Sequence, residues 1–526
     1  MIRVFQIKCA QESDLERAIL KKLRIRKEDL LDWHLHRKSV DARHQKVLFS
    51  CVVDCNVKNE KKYLKLKDVQ PTPDESYHPV QVGNHKLSNR PVVVGFGPAG
   101  MFAALILAQA GFRPLILERG SKVEKRKEKV DTFWSEGLLD SECNVQFGEG
   151  GAGAFSDGKL TTRSKDSLCR KVLEELVHFG AKEEILVDQH PHIGTDAFLG
   201  IIKNLRKEIE SLGGEFLFDT QLEEIEISNQ ELKKIKVKNQ WVDCQALILA
   251  CGHSATDTVK MLYKKGVEME NKPFAIGVRI EHKQEYINRA MLHEYCEDDR
   301  LIPARYQLTH TSSNGKGVYT FCMCPGGYVI PSSSQEEQLV VNGMSYASRN
   351  GENANSALLV QINESDYGKE LFAGLHYQEE LEKQAYKMAG NYKACAQLAK
   401  DYLKQEVSQS FENVSPTYSL GVTSCDLNTL FSDSVNLALH EALEAFEKKV
   451  PGFVKEGAVL SAVESRSSSS IRIKRNSQGV SNVKGVYPTG EGSGYAGGIM
   501  TSAIDGIRSA QHLIEYYSNE DLYEAV

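Results

Sequence analysis

No apolar run in this sequence reaches the roughly 20 residues that cross a bilayer; the longest, around residues 99–112, belongs to a glycine-turn helix. Charge of one sign is also missing. The formal net charge is -6 over 526 residues, which offers no global attraction to nucleic acid or anionic membrane. The twelve cysteines contain no C-x-x-C pair: three residues separate Cys51 from Cys55, and one separates Cys322 from Cys324. That argues against a zinc site or a disulfide framework and for reduced thiols. Residues 1–18 carry acids early and lack a signal-peptide core, so the expected location is cytoplasmic, with no membrane span. No repeat recurs at a solenoid period. What remains is an ordinary soluble composition in a chain too long for one core, since single cores stop growing near roughly 250–300 residues.

Against that background, residues 91–120, PVVVGFGPAGMFAALILAQAGFRPLILERG, carry the strongest signal. They read as strand, glycine turn, helix, strand and acid. Gly95 permits a tight turn, Gly97 lets a pyrophosphate approach the backbone, and Gly100 lets helix pack on strand. Pro98 suits a first helical position, beside Ala99, and free N–H groups there favour an anion. Glu118 is placed to accept from a ribose. A glycine turn serving packing alone would explain neither the spacing nor the acid.

Elsewhere the pattern divides the chain. Residues 1–88 read as a small α+β domain, with a strand over 3–9 and a helix over 12–23, and 70–90 reads as a linker rich in Pro and Gly. Residues 89–272 form the first part of a dinucleotide-binding domain. They include a charged helix over 121–129, a glycine-rich stretch over 147–160, an amphipathic helix over 195–212 and small strands over 214–238. Residues 273–450 read as an α+β cap or substrate domain, and 451–526 return to the first domain. Three strands end in glycine, near Gly95, Gly252 and Gly490, and open parallel sheets bind ligands beyond such ends.

These residues resemble the glutathione-reductase-like superfamily of FAD-dependent oxidoreductases. Glu118 followed by Arg119 resembles its adenosine site; residues 246–252 (ALILACG) resemble its A-T-G strand, with Cys251 in place of threonine before Gly252. Residues 485–492 (GVYPTGEG) resemble its late motif, in which the acid, here Glu491 after Gly490, approaches the ribityl chain and pyrophosphate. A narrower resemblance, to the NAD(P)/FAD-dependent or uncharacterised FAD-dependent dehydrogenases, rests on 144–160, 464–475, 490–506 and the KSVDAR of 38–43. It implies a discontinuous Rossmann-like α/β FAD-binding domain, with NAD(P)H as a transient reductant. No second dinucleotide unit is visible, and the substrate and the catalytic residues are unassigned.

Within that frame, Gly150, Gly151, Ala152 and Gly153 would pack backbone against the flavin and pyrophosphate, as in the flavin loop of fumarate-reductase-like enzymes. Ser156 and Asp157 would hydrogen-bond flavin or substrate. Gly498 and Ile499, opening a late helix, would place N–H groups near the flavin pyrimidine and stabilise negative charge there. Arg466, Arg472, Lys474 and Arg475 among the serines of 465–470 offer an anion site, against the plainer reading of a solvated loop. Cys322, Cys324 and His253 read as structural rather than redox or proton-transfer groups. The basic residues of the first domain, from Lys21 to Lys46 and including Arg43, read as a solvated face, with polyanion or RNA docking as the alternative. The expected activity is hydride transfer through flavin N5. The rivals are a flavin monooxygenase, an RNA-modifying flavoprotein and a non-catalytic redox sensor.

Overall fold

The computed structural model describes residues 1–41, 46–162, 164–298, 300–301 and 303–520; Arg43 and the end of the 38–43 motif lie outside them. At its centre is a five-stranded, all-parallel sheet in the order Val486–Pro488, Leu247–Leu249, Val92–Val94, Leu115–Leu117, Glu215–Leu217. Successive side chains of a strand point to opposite faces, and this sheet is covered on both. Val93, Ile116, Ile248 and Tyr487 pack under the helices Pro98–Gln109, Thr195–Ser211 and Ile499–Tyr516. Val92, Val94, Leu117, Leu247, Leu249 and Val486 face a three-stranded antiparallel sheet of Glu224–Ser228, Glu231–Val237 and Gln240–Asp243. Burial on both faces explains the short apolar runs Val92–Val94, Leu115–Leu117 and Leu247–Leu249, whereas the edge strand Glu215–Leu217 opens on an exposed glutamate. The fold is the expected α/β class, with its central sheet assembled from both ends of the chain.

A seven-stranded sheet, antiparallel except at one edge, builds the cap over strands from Phe274–Lys283 to Val459–Glu464. Val459–Glu464 is an inner strand, paired to Phe274–Lys283 and to Ala394–Leu398. The boundary expected at 450 therefore falls inside the cap layer. The helices Ala373–Ala389 and Asp433–Lys449 pack their apolar faces on this sheet.

The first domain is a four-stranded sheet, Leu30–Asp41, Leu48–Val57, Ile2–Cys9 and Val69–Pro71, covered by the helix Leu15–Leu23. The stretch read as a linker is instead tied down at both ends. Val69–Pro71 extends the first sheet, His85–Lys86 pairs with Tyr517–Ser518, and Leu87 is fully buried. Gly83 lies where any Cβ would strike the backbone of Glu515 and Tyr516. Among the described residues, no helix is long and apolar enough to cross a membrane.

Candidate functional site

The carboxyl ends of the parallel strands open on one cavity of about 1310 Å³. Gly95, Gly97, Pro98, Ala99, Glu118 and Arg119 line it, as do Cys251, Gly252, Glu491, Gly498 and Ile499. From the glycine-rich stretch come Gly151, Ala152, Gly153, Ser156 and Asp157. Segments distant in sequence thus surround one space. Gly150 and Gly490, expected at the ligand, lie behind that wall, together with Gly100, a glycine of the expected cofactor site that serves the expected helix–strand packing. A Cβ at Gly100 would strike the Gly95 carbonyl, one at Gly150 would strike Ile202, and Gly490 N–H donates to Asp505 Oδ2 at 2.7 Å. Their work is close packing beneath the site.

Gly95 has φ +92, and a Cβ there would strike the Ala250 carbonyl, so the turn requires glycine. Gly97 and Gly151 face each other closely: a Cβ on Gly151 would lie 2.8 Å from Gly97 Cα. Bare backbone therefore forms this part of the wall. Two helices start there, Pro98–Gln109 after Gly97 and Ile499–Tyr516 after Gly498, and neither has a side-chain cap. Their first N–H groups lack intrahelical partners and favour an anionic ligand. The helices cross where Gly506 meets the Ala99 carbonyl with no room for a Cβ.

Glu118 is buried at 4% exposure, and its carboxylate accepts from three backbone N–H groups. Oε2 takes Phe96 at 2.8 Å; Oε1 takes Gly120 and Gly148, each at 2.9 Å. A carboxylate has about four acceptor positions, so Glu118 first ties the glycine turn to the glycine-rich stretch and keeps one position in reserve. Arg119, expected to touch a cofactor, instead pairs with Glu142 at 2.7 Å and Asp257 at 2.8 Å, above the Phe147 ring. It positions the wall, since both of its edges are occupied. Ser156 is likewise turned inward: Oγ donates to the Gly153 carbonyl and accepts from Gly158. Asp157 accepts from Arg349 at 2.8 Å, while its Oδ1 is buried without a partner.

Several polar atoms on this wall have no protein partner. Gln221 Oε1, Ser254 Oγ and His253 Nε2 are buried and unpaired, and all three residues line the cavity. His253 Nδ1 lies 3.3 Å from Glu491 Oε1. Burial pushes the Cys251 thiol up to about 12, so it stays neutral. Unpaired buried polar atoms are costly. Together with the bare-backbone cradle and the two helix starts, they fit a large polar ligand with a central pyrophosphate, which is the chemistry of FAD.

The opposite wall comes from the cap, through Arg305, Tyr306, Tyr319, Cys322, Glu464 and Arg466. The arginines of 465–475 do not form the anion site offered as the alternative to a solvated loop, because each has an acid. Arg466 pairs with Glu382 at 2.6 Å, Arg472 with Glu270 at 3.3 Å, and Arg475 with Asp505 at 2.7 Å. Glu464, unassigned from sequence, lies 2.5 Å from the fully buried Arg279; burial pushes its carboxyl up to about 7, and the guanidinium only partly offsets this. Arg126 was also missed. It is fully buried and donates to the carbonyls of Asn144, Val145, Gly148 and Glu149, which holds the glycine-rich stretch in place. In the first domain, Lys22 pairs with Asp68, Arg26 with Glu28 and Lys27 with Glu16.

Cys322 sits at a bulge in Gly317–Cys324 with φ +45. A hydrogen bond from Cys324 and the charges of Lys159 and Arg279 hold its thiol below the ordinary range, while Cys324 is pushed up. A lowered thiol carries more thiolate at a given pH than an ordinary one, and the thiolate is the nucleophile. Iodoacetamide at pH 7 should therefore label Cys322 well before Cys251, although both line the cavity. Peptide mass mapping over time checks this; equal labelling would contradict the assignment.

Residues 273–467 match a family described as FAD-dependent protein, C-terminal domain-like, and residues 1–56 match a domain of unknown function. A curated but uncharacterised protein of Clostridium beijerinckii is 46% identical over 529 residues, covering 98% of this chain and 99% of that one. The chain belongs to the same family as this relative along its length, and over 273–467 to the FAD-dependent C-terminal domain family. Among solved structures, it resembles a flavin-dependent brominase at 11% identity (TM-score 0.38, 83% of this chain and 82% of that one). It also resembles glycine oxidase from Bacillus cereus at 11% identity (TM-score 0.31, 81% of this chain and 95% of that one).

Proposed function

We propose that this FAD-dependent protein is an oxidoreductase of the glutathione-reductase-like type. In this reading FAD lies across the strand ends and a substrate enters under the cap. One observation carries the reading: the glycine turn, the Cys251–Gly252 strand end, Glu491 and the Gly498 helix start share a single cavity whose far wall is the cap. Bound FAD would supply hydride acceptance and donation at flavin N5. The chain's own residues do the rest. Glu118 offers its remaining acceptor position to the adenosine ribose. The N–H groups after Gly97 face the pyrophosphate, and Glu491 with His253 faces the ribityl side. The N–H groups after Gly498 stabilise negative charge near the pyrimidine ring. Glu464, whose carboxyl is pushed up to about 7, holds or releases a proton at the cap wall near neutral pH.

NADH or NADPH would serve as a transient reductant, because the chain has no second dinucleotide fingerprint. Anaerobic mixing of the FAD-loaded protein with each nucleotide is expected to bleach the flavin absorbance with one of them. Failure of both nucleotides, followed by failure of a metabolite panel, would contradict an oxidoreductase and favour a redox sensor.

A further inference from the structure

Part of the cavity wall lies outside the proposed FAD contacts. Lys159 and Arg305 line it, with Arg37 of the first domain also on the wall. Two acids line the same stretch, Asp157 and Asp188, and the first is already engaged. Asp157 accepts from Arg349 at 2.8 Å, and Asp188 lies 3.9 Å from Lys38. Lys159 is 3.6 Å from that same Asp157 and donates to the Met323 carbonyl. Arg305 Nη2 is buried with no partner. Arg349, only 4% exposed, has both Nε and Nη1 buried and unpaired. Among the described residues on this stretch of wall, the three cations Arg37, Lys159 and Arg305 outnumber the two carboxylates Asp157 and Asp188, and Arg349 lies behind them.

The neighbouring histidines register the same excess. Burial and the charges of Arg305 and Arg349 push His190 down, and they push His192 down to about 4, so both stay neutral at pH 7. Buried cations without counter-charge are unfavourable unless a ligand supplies it. A guanidinium fork matches the paired oxygens of a carboxylate or phosphate, and an ammonium adds a point charge.

We propose that this wall binds an anionic group of the substrate, a carboxylate or a phosphate, through Arg305 and Lys159, with Arg37 at its rim. The assignment rests on the FAD reading, because it takes the remainder of the same cavity. It makes the cap a selector for acidic substrates and gives the first domain a part in substrate entry.

The test is equilibrium dialysis of the FAD-loaded full chain against labelled phosphate and, separately, labelled succinate at constant ionic strength. Released flavin is quantified in parallel. The variants are Arg305→Gln, Arg305→Lys and, as an exposed control of equal charge change, Arg17→Gln. The expected result is one saturable site for at least one of the anions. Arg305→Gln should weaken it about tenfold or more, Arg305→Lys less, and Arg17→Gln not at all, with flavin content unchanged throughout. Whether phosphate or succinate binds identifies the headgroup. Absence of saturable binding with full flavin content would overturn the anion site and leave the FAD reading intact. Equal weakening by Arg17→Gln would overturn it too. Loss of flavin together with anion binding in Arg305→Gln would reassign Arg305 to the cofactor's own phosphates. A wild-type chain that binds the anion in an Arg305-dependent way but never takes up FAD would support the anion site and sink the flavin reading.

Discussion

Replacing Gly97 by valine is expected to give a folded protein that holds no flavin. The backbone tolerates a side chain there, since a Cβ at Gly97 would lie 3.5 Å from Gly151 Cα, an ordinary contact, and its φ of -81 is unstrained. The valine methyls, however, would fill the gap between the turn and the glycine-rich stretch and cover the N–H groups that open Pro98–Gln109. Losing two charge-assisted hydrogen bonds of roughly 1.5–3 kcal/mol each weakens binding by about a hundredfold or more. Flavin released per chain, measured beside the thermal unfolding curve, checks both halves. Gly95→Val is the contrast: φ +92 and the Ala250 carbonyl leave no room, so that variant should fail to fold. Normal flavin content in Gly97→Val would mean that the cofactor lies elsewhere.

The second large effect is expected at Arg126. Substitution by methionine keeps the bulk but leaves four backbone carbonyls, of Asn144, Val145, Gly148 and Glu149, without their buried donor. It also removes the cation that faces Glu118 and Glu149. Breaking such a buried charged network costs about 3–5 kcal/mol. The glycine-rich stretch would then lose its fixed position against Gly97. A lowered unfolding midpoint together with reduced flavin content is the expected pair of results. An unchanged midpoint would contradict the bracing role.

Much of this arrangement was legible in the sequence, for a physical reason. The central strands are three-residue apolar runs such as Val92–Val94 and Leu247–Leu249, buried on both faces and ended by glycine, so local pattern and tertiary role agree. The misses share a different cause. Arg126 sits among the charges of Val123–Glu136 and looks like one more solvated side chain; only the fold turns it inward. The C-x-C spacing of Cys322 was visible, but the bulge and the charges of Lys159 and Arg279 come from contacts distant in sequence. The arginines of 465–475 leave an anion site and a solvated loop both open in the sequence, because their acids, Glu382, Glu270 and Asp505, lie elsewhere in the chain. Nothing local in Val459–Glu464 reveals its pairing with Phe274–Lys283 and Ala394–Leu398, so the sequence pattern places it after the cap. The Pro and Gly content of 70–90 points to a linker and does not reveal the pairing of His85–Lys86 with Tyr517–Ser518.

The central claim is that one FAD is held at once by pieces from distant parts of the chain. Hydrogen–deuterium exchange with and without FAD tests it most directly. The account predicts that one equivalent of FAD slows exchange together at Gly97–Gly100, at Cys251–His253 and at Glu491–Met500. Protection confined to one of these segments, or appearing away from all three, would contradict it.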